Sequence, residues 1–105
     1  MLIKVFQKSE NEIRDLRNGN WYWIERGVLE RYGRQIRALG IAVYNALAFF
    51  SNQNQKAFPS QKHIADLLGS SRSSINRAIK LLEENGLIRK ERKGRRNCVY
   101  YLLKV

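Results

Sequence analysis

Residues 60–86 read SQKHIADLLGSSRSSINRAIKLLEENG, and their spacing predicts two short helices joined by a tight turn. Ser60 stands where it can cap the first helix, over about Gln61–Leu68, because a serine oxygen accepts an N–H that the first turn leaves unpaired. Gly69 ends that helix, since glycine enters the left-handed region without a steric cost. Ser70 or Ser71 then caps a second helix that runs to about Asn85 and stops at Gly86. The apolar residues recur at helical spacing: Ile64, Leu67 and Leu68 in the first helix, Ile75, Ala78, Ile79 and Leu82 in the second.

Working outward, the chain changes period after Gly86. Residues 87–93 and 98–103 read as two strands, and residues 94–97, GRRN, as the tip between them. Six of the eight residues 89–96 are basic. Ile88 and either Tyr100 or Tyr101 are expected to anchor this hairpin to the core. Upstream, residues 34–51 form an expected long helix with a core stripe of Ile36, Leu39, Val43, Leu47 and Phe50. Ile41, Tyr44, Ala48 and Phe49 give it a second apolar face. One face should pack on the paired helices, the other on the N-terminal segment or on a second copy of the chain. Gly40 weakens this helix by up to ~1 kcal/mol relative to alanine, and its small size suits the close approach of a neighbour. Residues 52–56 are polar and break the helix.

The N-terminal third reads less clearly. Residues 1–7 suit a short strand. Residues 8–20 are either a two-turn helix opened by the capping-box spacing of Ser9 and Glu12, or a polar loop. Residues 21–24, WYWI, suit a strand whose tryptophans fill a core in preference to stacking on bases. Residues 25–32 suit a short helix closed by Gly33.

The chain has 105 residues, one cysteine and one histidine. That length supports one domain with its own core. It leaves no internal disulfide and no Cys/His zinc site, so no metal and no cofactor are expected. No signal peptide or membrane-spanning run is read, and a reducing cytoplasm is the simplest location, either nucleoid-associated or that of an intracellular viral or plasmid protein. The net charge is +11, from 20 basic and 9 acidic side chains. Residues 60–105 carry eleven of the basic and four of the acidic groups, so the excess is concentrated on the paired helices and the hairpin. Such a face favours an anionic partner.

The small residues sit where a helix-turn-helix needs them. Ala65 lies four positions before Gly69, where the helices cross, and Ile75 six positions after it, where the second helix plugs back onto the first. This pattern resembles the helix-turn-helix of bacterial and phage DNA-binding proteins. The continuation LLEENGLI with a basic hairpin resembles the winged form. Ser70 departs from the family, which usually places an apolar residue there. The run from the long helix through AFPSQKHIA also resembles domains of phage and plasmid replication proteins. The implied fold is mainly α with a small β-hairpin (α+β): an N-terminal extension over 1–33 and a winged helix-turn-helix over 34–105.

The resemblance implies double-stranded DNA as partner, with the second helix entering the major groove N-terminus first. Ser71, Arg72, Ser73, Ser74, Asn76, Arg77 and Lys80 are then its candidate contacts. Arg72 has the donors to pair with guanine O6 and N7, and Asn76 with adenine N6 and N7. Serine hydroxyls and the helix N-terminus suit phosphates. Arg77 and Lys80 suit the backbone, and winged families carry an arginine at the equivalent of Arg77. Lys90, Arg92, Lys93, Arg95 and Arg96 are the candidate wing contacts, Arg95 and Arg96 first, on phosphates or in a narrow minor groove. Transcription regulation, with a homodimer on a two-fold symmetric site, is the first expected role. The alternatives are the DNA-binding domain of a phage or plasmid replication initiator and a protein-interaction module. RNA binding is disfavoured, because an A-form major groove does not admit a helix. No enzymatic activity and no small-molecule ligand are expected: His63 and Cys98 have no reason to meet, and no phosphate-binding glycine loop is present.

Overall fold

In the computed structural model, which describes residues 14, 19, 21–52, 54, 56–57, 59–94 and 97–105, the signals around Gly69 act as their chemistry requires. Three helices, α1 (Arg26–Phe50), α2 (Gln61–Leu68) and α3 (Arg72–Glu84), combine with strands β1 (Lys56–Ala57), β2 (Ile88–Lys93) and β3 (Asn97–Leu102). Ser60 accepts from the His63 N–H and Ser71 from the Ser74 N–H, each replacing a partner missing from a first turn. Gly69 is left-handed at φ 65°, and the Ser70 N–H returns to the Ala65 carbonyl at 3.0 Å. Gly86 repeats the device at φ 72°, with the Leu87 N–H on the Leu82 carbonyl at 3.0 Å.

The core gathers one stripe from each helix. Ile36, Val43 and Leu47 of α1 meet Ile64 and Ala65 of α2 and Ile75, Ile79 and Leu82 of α3. Each of these isoleucines and leucines is fully buried, worth roughly 1.5–3 kcal/mol apiece. The sheet closes the remaining side with Ala57, Ile88 and Tyr100. Its order is β1-β3-β2, all antiparallel, with Ile88 opposite Leu102, Lys90 opposite Tyr100, and Ala57 opposite Tyr100 on the other flank. This is the expected α+β winged helix-turn-helix.

Several details differ from the expectations. Gly33 does not end a helix: α1 starts at Arg26, capped by the Glu25 carboxylate on the Gly27 N–H at 2.7 Å, and continues through it. The expected division at 33/34 therefore falls inside α1. Packing of Val28 and Ile36 on one core outweighs the ~1 kcal/mol glycine cost. The interruption comes instead at Arg37, whose backbone sits at φ 67°, ψ 172° and kinks the helix. Gly40 does serve a close approach, but to its own helix: a Cβ there would lie 3.0 Å from Ile36 Cβ across the kink.

Residues 52–56 are not merely a polar break. The Asn52 side chain accepts from the Asn54 and Lys56 N–H groups at 2.9 and 3.2 Å, and this turn delivers Lys56 and Ala57 into the third strand. Residues 21–25 form no strand. Ile24 reaches the core and Tyr22 packs edge-on against Phe49, with ring centroids 5.8 Å apart, so Trp23 between them faces solvent at 84% exposure. The core-filling expectation fails for that tryptophan. The expected strand over 1–7, the capping-box spacing near residue 9, and Arg95 and Arg96 lie outside the described residues.

Candidate nucleic-acid interface

The buried residues of α3, Ile75, Ala78, Ile79 and Leu82, occupy one side of the helix. Arg72, Ser73, Arg77 and Lys80 are left on the other and are exposed, while Ser74 and Asn76 are half-buried at its margins. The first turn of α3 contains no acidic residue, so its N–H groups and partial positive charge face solvent beside Arg72 without a competing carboxylate.

The residues grouped here differ in how they are held. The Ser71 hydroxyl is occupied in capping: it accepts from the Ser74 N–H at 3.1 Å and donates to Ser74 Oγ at 2.9 Å. Ser73 Oγ lies 3.2 Å from it. Ser74 Oγ also accepts from the Arg77 guanidinium at 3.2 Å, which lays Arg77 back along the helix toward its N-terminus. Asn76 Oδ1 accepts from the Gln61 amide at 3.4 Å. Arg72 and Lys80 make no hydrogen bond or ion pair among the described residues, so their donors face outward.

Strand alternation splits the wing. Lys90 and Arg92 share the face of Ile88 and Tyr100, which packs on the helices. Lys93 lies on the opposite face with Arg89 and Glu91. There its ammonium meets Glu91 Oε1 at 2.8 Å. That bond raises the lysine above its ordinary value and, with the Tyr101 hydroxyl at 3.2 Å, holds the Glu91 carboxyl below its own. Lys93 is thus already partnered within the wing. Arg89 was absent from the sequence-derived candidates, yet it is exposed and stacks on Tyr101 with its guanidinium carbon 4.4 Å from the ring centre. Lys56 approaches the same ring at 5.5 Å from the β1 side. The signal for Arg89 lay in the period of two, which pairs it with Tyr101 once the register is known.

The base of the wing is fixed to the helices. Tyr100 is 1% exposed; burial pushes its phenol above the ordinary value, partly offset by a hydrogen bond with Gln61. A cationic helix face and the base of the hairpin therefore share one core.

The family model described as "Helix-turn-helix domain" matches residues 35–88, just over half of the chain. The chain belongs to the helix-turn-helix domain family. Among solved structures it is similar to one described as "Structure of Rep-DNA complex", at 14% identity and a TM-score of 0.54, over 99% of this chain and 84% of that one. At that identity the likeness is one of fold. No curated protein matches the sequence. As in other helix-turn-helix domains, α3 is the helix whose outward face is open to a partner, and here that face is polar and cationic. No helix among the described residues is long and apolar enough to cross a membrane.

Proposed function

We propose that this helix-turn-helix protein binds double-stranded DNA in a sequence-dependent way, with α3 in the major groove and the β2–β3 wing on the flanking backbone or in the minor groove. The observation that carries this reading is the outward face of α3: Arg72 and Lys80 exposed and unpaired among the described residues, beside a helix N-terminus with no acidic residue. A major groove about 12 Å wide admits one helix. Arg72 then reads a guanine edge, Ser73 and the α3 N-terminus hold phosphate, and Lys80 follows the backbone. Lys90, Arg92, Arg95 and Arg96 extend the grip along the wing.

For the biological role, transcription control rests on analogy between small winged proteins. The likeness to a Rep–DNA complex favours the second role, a DNA-binding domain in replication initiation. The two differ in the expected site: a dimeric regulator selects a two-fold symmetric sequence. Selection of bound duplexes from a random pool is the decisive experiment. One enriched motif, lost from its guanine position in Arg72→Ala, is the expected result. Equal binding to duplex DNA, duplex RNA and single strands would overturn the proposal.

A further inference from the structure

The face of the sheet turned away from the helices carries a row that spans all three strands. Tyr101 of β3 lies opposite Lys56 of β1 on one flank and opposite Arg89 of β2 on the other. Both cations turn onto its ring: the Arg89 guanidinium carbon is 4.4 Å and the Lys56 Nζ 5.5 Å from the ring centre. The Tyr101 hydroxyl donates to Glu91 Oε1 at 3.2 Å, which ties the far end of the ring to β2. Glu91 is the one acidic residue in the three strands. Its carboxylate is already taken by that hydroxyl and by the Lys93 ammonium at 2.8 Å. Arg89 and Lys56 make no ion pair and no side-chain hydrogen bond among the described residues. A ring attracts a cation without supplying a countercharge, so two positive groups are held in place with no acid paired to either.

We infer that Lys56 and Arg89 form a clamp for a phosphodiester backbone, with Tyr101 as the positioning residue between them. The inference rests on the reading of the protein as a binder of duplex DNA and is independent of which residue of α3 reads a base. A guanidinium resting on a ring keeps its N–H edge for a second partner, and that fork suits two phosphate oxygens, while the ammonium adds a compact charge beside it. Successive phosphates of one strand lie about 3.4 Å apart along a duplex axis, so neighbours on a single strand serve both cations. Lys90 and Arg92 occupy the other face of β2, so the clamp and these wing cations address phosphates on the two sides of one sheet. Lys56 comes from outside the hairpin, which extends the cationic surface past the wing to the strand that precedes α2. Two sources offer such a backbone: the flank of the duplex held by α3, and a second duplex.

The test titrates two duplexes of unrelated sequence across salt concentrations. Lys56→Ala and Arg89→Ala should each make the slope of log K against log salt shallower by about 0.9, and the double variant by about 1.8, alike on both duplexes. Arg89→Lys keeps the charge and should restore the slope; if it does not, the loss is structural and the clamp is wrong. Tyr101→Leu removes the ring and leaves both charges. It should weaken binding to both duplexes, and its effect should shrink once Arg89 is alanine, a coupling that loss of fold stability does not produce. A double variant with the slope of the parent would overturn the inference, as would a loss confined to one of the two duplexes, which would make these residues base contacts. Sedimentation with duplex in excess separates the sources. No more than one duplex per chain assigns the clamp to the flank of the duplex already held; two per chain, falling to one in the double variant, assign it to a second. Base preference left intact by Arg72→Ala defeats the reading of that arginine while the clamp stands, and a parent that binds no duplex defeats both.

Discussion

At Gly40 two effects oppose each other. Alanine is the better helix former by up to ~1 kcal/mol, yet its Cβ would sit 3.0 Å from Ile36 Cβ. Ile36 is fully buried, and a Cβ cannot swing aside as the end of a long side chain does. Overpacking of this kind costs roughly 1–3 kcal/mol. Gly40→Ala should therefore lower the melting temperature, a net loss of up to about 2 kcal/mol; a rise would mean that the kink relaxes freely. Arg37 carries the opposite expectation. Its φ of 67° with ψ of 172° lies in a region kept almost wholly by glycine, at a cost of order 1–3 kcal/mol. Glycine there loses about 0.5–1 kcal/mol through greater freedom in the unfolded chain. Arg37→Gly should thus raise the urea midpoint by a stability equivalent of about 1 kcal/mol, with no change in the denaturant slope.

Within the wing, Glu91 links two neighbours across the outer face, accepting from Lys93 and Tyr101. Its folded pKa is below the ordinary 4.5, so the unfolded chain binds more protons through the acid range and the contribution falls with pH. It is intact above 4.5 and is lost as pH drops through the depressed folded value. Glu91→Gln should melt slightly below the parent at neutral pH and converge with it in acid; a gap that persists unchanged in acid would remove the charge from the explanation. Capping has a simpler sign: Ser71→Ala should cost about 1 kcal/mol in thermal unfolding, because Ser71 serves both Ser74 groups. The helix-turn-helix and the hairpin were legible in the sequence because their signals are local: serines at N-caps, Gly69 and Gly86 after the last turn, a switch of period from helical to two. What escaped depended on tertiary context. A strand of two residues, Lys56–Ala57, has no periodicity to read. Gly33 looked like a stop because glycine usually is one, and only the shared core of Val28 and Ile36 carries the helix past it. Nothing in the residues around Arg37 announces a positive φ. The candidate site was legible as a set of residue types on one helix face; the division between partnered cations, Arg77 and Lys93, and unpartnered ones, Arg72 and Lys80, needed coordinates.

Across the whole molecule, charge is placed unevenly. Residues 60–105 hold eleven basic groups against four acidic, and among the described residues Arg77 and Lys93 are tied to neighbours while Arg72, Lys80, Lys90 and Arg92 are not. With Arg95 and Arg96, which lie between β2 and β3 in the sequence, about six cations are then candidates for phosphates or guanine edges. Each phosphate neutralised releases counterions and adds about 0.9 to the slope of log K against log salt. A slope of about −5.4 is expected if all six meet the backbone, and about −4.5 if the wing and Lys80 do so while Arg72 meets a base. Arg72→Ala separates the possibilities. A base-reading arginine leaves the slope close to that of the parent while preference at one position collapses by 1–3 kcal/mol, about five- to 150-fold. A phosphate-binding arginine reduces the slope by about one and weakens every sequence alike. The unpartnered guanidinium at the mouth of α3 favours the first outcome, and titrating one selected duplex and one unrelated duplex across salt concentrations decides between them. An affinity that is flat across salt would exclude both, because a cationic face that displaces no counterions is not touching the phosphate backbone.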